Sequence, residues 1–318
     1  DGEIIVPPLT WVSDIVAVLF ANLKPVFVDI NLRNLSFDLE KLEKAITDRT
    51  KAIFVTHVLG INGLTDKLLG LTKKYGLLLI EDVCESHGAT FKGQKLGSLG
   101  FASNFSFYYA HHMTTIEGGM ISTNDFAFYE IVRMLRSHGM VRETESAETK
   151  QSYSAEHPDL NPDFIFAYPA HNMRPTEING ILGISQLRRL DENNVKRTEN
   201  FRLFLDQLNS DMYLTELEFE GSSNYAFPII LRPEFSHLSH EVERLLKNNG
   251  IEFRRGLSGG GNQLRQPYLA KAGFLQNFSD FPNIEHIHFN SWYVGNYPEL
   301  PESKTKELCF ILNTLVTA

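Results

Sequence analysis

Cysteine is almost absent from this 318-residue chain, which has only Cys84 and Cys309. Two thiols cannot build a disulfide framework, and they fall short of the four thiolates that usually hold an iron-sulfur cluster within one chain. No apolar run reaches the roughly 18 residues a spanning helix needs, and no charged-then-apolar leader pattern is present. Neither a membrane span nor secretion is indicated, and a cytoplasmic protein is the expectation. Positive charge is also short: 30 Lys and Arg stand against 39 Asp and Glu, a formal net charge of −9. A phosphate backbone calls for a concentrated basic surface, so nucleic acid is not an expected partner. One further absence is local: no lysine lies between Lys95 and Lys150.

What is present is enough apolar material, 42% of residues, for one large core and a smaller one. The first 135 residues alternate short apolar runs with helix-period segments, which predicts an α/β architecture with a largely parallel sheet covered by helices. Strands are expected at Glu3–Val6, Pro25–Asp29, Ala52–His57, Leu77–Glu81, Asn104–Phe107 and Gly119–Ser122. Helices are expected at Val12–Ala21, Leu39–Ile46, Thr65–Tyr75 and Phe126–Arg136. From Arg142 to Tyr168 the composition turns polar and is broken by Pro158 and Pro162, which reads as a long surface excursion. A long helix should run from Pro175 toward Leu208. Beyond it, a strand at Ala226–Leu231, a helix at Ser239–Asn248 and a strand at Ile251–Arg254 suggest a smaller C-terminal α+β unit, dividing the chain into 1–208 and 209–318. The run Gly256–Asn262 lacks the spacing of a Walker or dinucleotide loop and reads as a flexible loop that closes on substrate beside Arg254 and Arg255.

Ligands of open α/β sheets collect at the carboxyl ends of strands, and Asp82, Ser106 and His111 all fall late in or just after an expected strand. An imidazole at 111 can move protons near neutral pH but cannot tether a carbonyl cofactor covalently as a lysine does. The pair His111 and His112 also admits a metal, yet no Cys, His or carboxylate spacing completes such a site. On residues alone, Asp82 equally reads as a turn or capping residue, Trp11 as core packing, and His111 as a structural histidine.

Six stretches, in order and spacing, tip the balance. They are Asp1–Pro7, Val26–Ile30, Glu81–Ser86, Ser106–Gly119, Arg136–Gly139 and Asn172–Glu177. Together they resemble the DegT/DnrJ/EryC1/StrS family of sugar aminotransferases, whose Schiff-base lysine stands six residues before the Glu of a Glu-Gly-Gly turn. Here Glu117 closes that count and His111 occupies the lysine position. The histidine resembles the B6-dependent 3-dehydratases of that family, which act on nucleotide-linked 4-keto-6-deoxysugars.

The resemblance implies a fold-type I pyridoxal phosphate (PLP) transferase fold, with PLP and pyridoxamine phosphate (PMP) as cofactor forms. It implies His111 as the catalytic base, Asp82 as the partner of the pyridine nitrogen, and Trp11 stacked on the ring. It further implies Ser106 on the cofactor phosphate, Glu85 near the ring hydroxyl, and Asn172 reaching the phosphate of the neighbouring subunit's cofactor. His138 and Arg174 are implied as substrate contacts. The implied partners are a nucleotide sugar, glutamate as amino donor, and a second copy of the chain in a homodimer with shared active sites. Too few cysteines remain for the iron-sulfur cluster of a related dehydratase. In the family, the stretch matched by Asp1–Pro7 follows a helix and a phosphate-wrapping turn, which are expected to precede Asp1. The alternatives are a sugar nucleotide aminotransferase without the lysine, and a non-catalytic relative acting as a binding or regulatory protein.

Overall fold

The computed structural model describes residues 2–317, with side chains described to Leu315; Asp1, the first residue of the first matched stretch, lies outside them. Eleven strands are described: β1 (Glu3–Val6), β2 (Lys24–Phe27), β3 (Thr50–Thr56), β4 (Leu78–Asp82), β5 (Thr90–Phe91), β6 (Gln94–Lys95), β7 (Ala102–Ser106), β8 (Gly119–Thr123), β9 (Ala226–Ile230), β10 (Arg254–Arg255) and β11 (Ser291–Gly295). The helices are α1 (Val12–Phe20), α2 (Leu39–Ala45), α3 (Asp66–Tyr75), α4 (Phe126–Arg136), α5 (Ala147–Glu156), α6 (Glu177–Gln207), α7 (Ser239–Asn248), α8 (Pro267–Lys271), α9 (Pro282–Asn290) and α10 (Glu302–Asn313). Among the described residues, no helix is long and apolar enough to cross a membrane.

The main sheet has the order β2-β1-β3-β4-β7-β8; every pairing is parallel except β7 with β8. Its central strands are apolar on both faces, as a parallel sheet covered by two helical layers requires. Side chains alternate across it: Ile4, Val6, Ala52 and Phe54 join one cluster, and Ile5, Ile53, Val55 and Leu79 join the other. Ile15 and Val18 of α1 pack on the first face, whereas Leu42 of α2 and Leu68 and Leu71 of α3 pack on the second. Local signals set these helices. Thr65 caps α3 by accepting from the Leu68 amide, and Gly76 ends it in the left-handed conformation that only glycine adopts cheaply.

A three-stranded antiparallel sheet, β10-β11-β9, makes the C-terminal layer. Its Phe227, Ile229 and Trp292 enter the same apolar cluster as Ile4 and Phe54, together with Phe201 and Phe204 of α6.

Three expectations need revision. The excursion from Arg142 to Tyr168 contains a ten-residue helix, α5, which is started by the Ser146 cap, has no fully buried residue and packs Tyr153 against Met134, Val141 and Ile165. The strand expected at Ile251–Arg254 is only Arg254–Arg255. The Gly256–Asn262 run is a braced turn instead of a flexible loop. Gly259 lies so close to the Thr10 carbonyl that a Cβ would sit 2.3 Å from it, and Gln263 donates through its amide to Pro8 O at 3.0 Å. The run thereby holds the turn that leads from β1 into α1.

Phe227 is fully buried and stacks on Phe204 at 4.7 Å. Phe227→Ala should destabilise the chain by about 3–5 kcal/mol, read as a lowered urea midpoint with an unchanged m-value.

Candidate functional site

The parallel register lines up three polar residues at the carboxyl ends of neighbouring strands. Thr56 of β3 pairs with Asp82 of β4, which pairs with Asn104 of β7. Asp82 is buried, and its Oδ1 accepts from the Cys84 amide at 3.0 Å and from Asn104 Nδ2 at 3.0 Å. Asp14, in the first turn of α1, reaches the same strand edge from the β1 side, its Oδ2 accepting from Thr56 Oγ1 at 3.3 Å. Thr10 donates to Asp14 Oδ2 at 2.5 Å, and Thr10 and Thr56 share a 2.7 Å hydrogen bond. Trp11 is the residue that starts α1, one turn from Asp14, and its large ring is 56% exposed.

His111 sits in the loop joining β7 to β8. That loop is closed by Phe107 N to Gly118 O at 2.8 Å and Thr115 N to Phe107 O at 2.9 Å. The His111 Nδ1 donates to the Cys84 carbonyl, two residues after Asp82. A carbonyl only accepts, so Nδ1 carries the proton and Nε2 is left as the basic nitrogen. Burial holds the His111 pKa below the usual imidazole value, against the upward pulls of the Cys84 carbonyl and of Asp82. The ring is therefore neutral at pH 7. Tyr225 stacks on it at 5.9 Å and Tyr108 meets it edge-on at 5.9 Å. His112 diverges: it is buried and its Nε2 meets Ser223 O at 3.1 Å.

Glu85 accepts from the Leu59 amide at 3.0 Å. Burial pushes its pKa up to about 7; Asp82 adds to the rise, and the Leu59 hydrogen bond and Arg254 oppose it. Ser106 ends β7, and its Oγ accepts from the Tyr108 amide at 3.3 Å. His138, Asn172 and Arg174 form a second, exposed group. Asn172 Oδ1 accepts from Arg174 Nε at 3.0 Å, Asn172 bridges to Ser137, and the His138 amide donates to His171 O. No described hydrogen bond or ion pair joins this group to Asp82, Ser106 or His111.

Beside the His111 loop, at Ala110, opens a cleft of about 640 Å³ lined by Arg197, Tyr225, Arg254 and Tyr293. Asp14, Tyr225 and the Cys84 carbonyl were not singled out from sequence as parts of the site, whereas Arg254 was expected beside a loop closing on substrate and does line this cleft. Tyr225 and Cys84 O carry no local signal. The Thr10 and Asp14 pair, four residues apart at a helix start, could have raised Asp14. Among the described residues, no three His, Cys, Asp or Glu side chains are arranged to hold a metal.

A layered α/β sheet with a buried carboxylate at the end of β4 and a histidine loop beside it defines an aminotransferase-type fold. The profile of the DegT/DnrJ/EryC1/StrS aminotransferase family matches residues 1–312, and the chain belongs to that family. It is 32% identical over 296 residues to the GDP-4-keto-6-deoxy-D-mannose 3-dehydratase of Escherichia coli O55:H7, covering 93% of this chain and 76% of that one. A solved GDP-4-keto-6-deoxymannose-3-dehydratase with a trapped PLP-glutamate geminal diamine superposes with a TM-score of 0.87 at 30% identity, covering 98% of this chain and 80% of that chain. A histidine-to-asparagine mutant of that dehydratase with bound GDP-perosamine superposes equally, with a TM-score of 0.87 at 30% identity over 98% of this chain and 81% of that one.

Glu85 should give the stability a pH slope. Its folded pKa, about 7, lies above the ordinary 4.5, so between those values the folded chain keeps a proton that the unfolded chain has released. Stability therefore falls as pH rises through this window, by up to about 3 kcal/mol. Urea titrations of wild type and Glu85→Gln should show the slope in the first and a flatter profile in the second.

Proposed function

We propose that this chain is a PLP-dependent 3-dehydratase of a nucleotide-linked 4-keto-6-deoxyhexose. Its product would be a 4-keto-3,6-dideoxysugar, and glutamate would return the cofactor to its PMP form. The observation that carries this reading is His111, an imidazole fixed through Nδ1, open at Nε2 and neutral, at the position where the family resemblance places a lysine.

The residues fit the cofactor on a point of charge. Among the described residues, no ion pair involves Asp82, so a protonated ring nitrogen would supply the positive charge this buried carboxylate lacks. Asn104 Oδ1 beside it is buried without a partner. When bound, the cofactor supplies an electron sink for carbanion chemistry next to the departing hydroxyl. Asp82 would hold the ring nitrogen, Trp11 would cover a ring face, and Ser106 would hold the phosphate. Glu85, close to half-protonated at neutral pH, would adjust the proton balance near the ring hydroxyl. His111 would take and return the proton at Nε2, a task worth about 10²–10⁴-fold in rate.

Asn172, His138 and Arg174 would serve a neighbouring copy's site and the substrate. Supporting a homodimer, Ile178, Ile181, Ile184 and Leu187 make an exposed apolar row on α6, a surface normally covered by a partner. The nucleotide would lie toward Arg254. The division into 1–208 and 209–318 belongs to this reading, supported by the separate C-terminal sheet, as do a cytoplasmic location and chemistry without an iron-sulfur cluster.

The test is the visible spectrum of the protein with PLP before and after glutamate, followed by borohydride reduction and mass analysis. Glutamate should convert the aldehyde-like spectrum to a pyridoxamine-like one, with no cofactor fixed to the chain. His111→Asn should lower release of the dideoxysugar at least about 10²-fold. Cofactor fixed to a lysine would sink the dehydratase reading in favour of an ordinary aminotransferase.

A further inference from the structure

Asp14 and Asp82 are two carboxyl groups, 4% and 5% exposed, brought to one place at Thr56, which donates to Asp14 Oδ2 and pairs in register with Asp82, and among the described residues no ion pair involves either. Every donor recorded on them is neutral: the Thr10 and Thr56 hydroxyls on Asp14 Oδ2, and the Cys84 amide and Asn104 Nδ2 on Asp82 Oδ1. The titratable groups around them offer no compensation. Cys84 is held as the neutral thiol chiefly by burial, and burial likewise disfavours ionisation of Tyr268 on α8. Glu85 is itself pushed toward its neutral acid, and His111 is neutral at pH 7. Two adjacent negative charges in such a place repel each other and lose their hydration, so one of them is neutralised by a proton. The arrangement says which. Asp82 Oδ1 accepts two N–H donors, one of them a backbone amide, whereas Asp14 Oδ2 meets only the two threonine hydroxyls. Burial together with the charge of Asp82 drives the Asp14 pKa well above the ordinary carboxylate value.

We propose that Asp14 is a neutral, protonated acid that donates a hydrogen bond to Asp82, so that the buried pair presents one negative charge, and not two, to the ring nitrogen of the cofactor. The part concerning the ring nitrogen rests on the PLP reading above. The single charge matches the single positive charge of a protonated pyridine, leaving pair and ring neutral together in a site with little water. Asp14 touches neither substrate nor reacting atoms; it is a positioning residue that orients Asp82 and restrains its basicity.

Infrared difference spectroscopy of cofactor-free protein, wild type minus Asp14→Asn, tests the proton directly. At pH 8, where Glu85 is mostly ionised, wild type should show the carbonyl stretch of a protonated carboxyl that the variant lacks and that shifts in heavy water. The melting temperatures give a second readout. Asp14→Asn removes a group whose raised folded pKa costs stability as pH rises, so the variant should gain on wild type progressively from pH 5 upward. A missing band, or a melting difference that stays flat with pH, would overturn the proposal. Added PLP should leave the band in place; its disappearance on binding would show that the proton moves to the ring and would also overturn it. A band present in a protein that binds no PLP would support the shared proton and overturn its assignment to a ring nitrogen, a failure of the cofactor reading alone.

Discussion

The parallel alignment of β1, β3, β4 and β7 is the constraint on which the site depends. Parallel strands end at the same edge, so chain segments far apart in sequence deliver their polar residues to one place. Thr56, Asp82 and Asn104 become neighbours across two register pairs, and the turn leaving β1 brings Thr10 and Asp14 to the same edge. The apolar faces of the strands fix that register, because a slip of one residue would send Ile53 and Val55 to the wrong side of the sheet. Packing on both faces thereby sets the spacing of groups that take no part in packing.

The two acids that end β4 show what this alternation does. Glu81 is directed at the loop after β6, where the amides of Gly97, Leu99 and Gly100 donate to it and His57 lies 3.4 Å away. His57 first, and then the Gly97 and Gly100 amides, hold the Glu81 carboxyl below its ordinary pKa despite burial. Asp82, one residue on, faces the other side and meets Asp14 instead. The same residue class one position apart is a structural anion with its bonds filled in the first case and, in the second, the carboxylate proposed to meet the ring nitrogen.

Much of the first 136 residues was legible in the sequence because each buried strand is a short apolar run bounded by a turn and each helix has a cap or stop. The expected helix at Phe126–Arg136 matches α4 to the residue. Two later elements lacked such signals. β11 follows α9 at once, with Ser291 directly after Asn290 and no turn residue between them, so no boundary marks the strand. α5 buries none of its residues, so it shows no 3.6-residue apolar period. In the site, Asp82 and His111 could be found because a linear motif carries them. Tyr225 could not, since its relation to His111 exists only after the C-terminal layer has packed against the main sheet, and the Cys84 carbonyl could not, since it meets His111 only once β4 and β7 have paired.

Burial favours the neutral imidazole at His111, the residue proposed as the base. His87 lies 6.1 Å from His111 and 5.8 Å from His112, and three imidazolium ions at such distances would repel strongly in a medium of low dielectric. Burial lowers all three pKa values, that of His87 to about 3. His111 differs from the other two in that Asp82 pulls its pKa upward. Of the three, it is the imidazole best placed to accept a proton transiently, because the nearby carboxylate stabilises the cation that forms. The Asp82 carboxylate and the His111 imidazole are thus linked by charge and through the short stretch from Asp82 to Cys84, whose carbonyl fixes the ring.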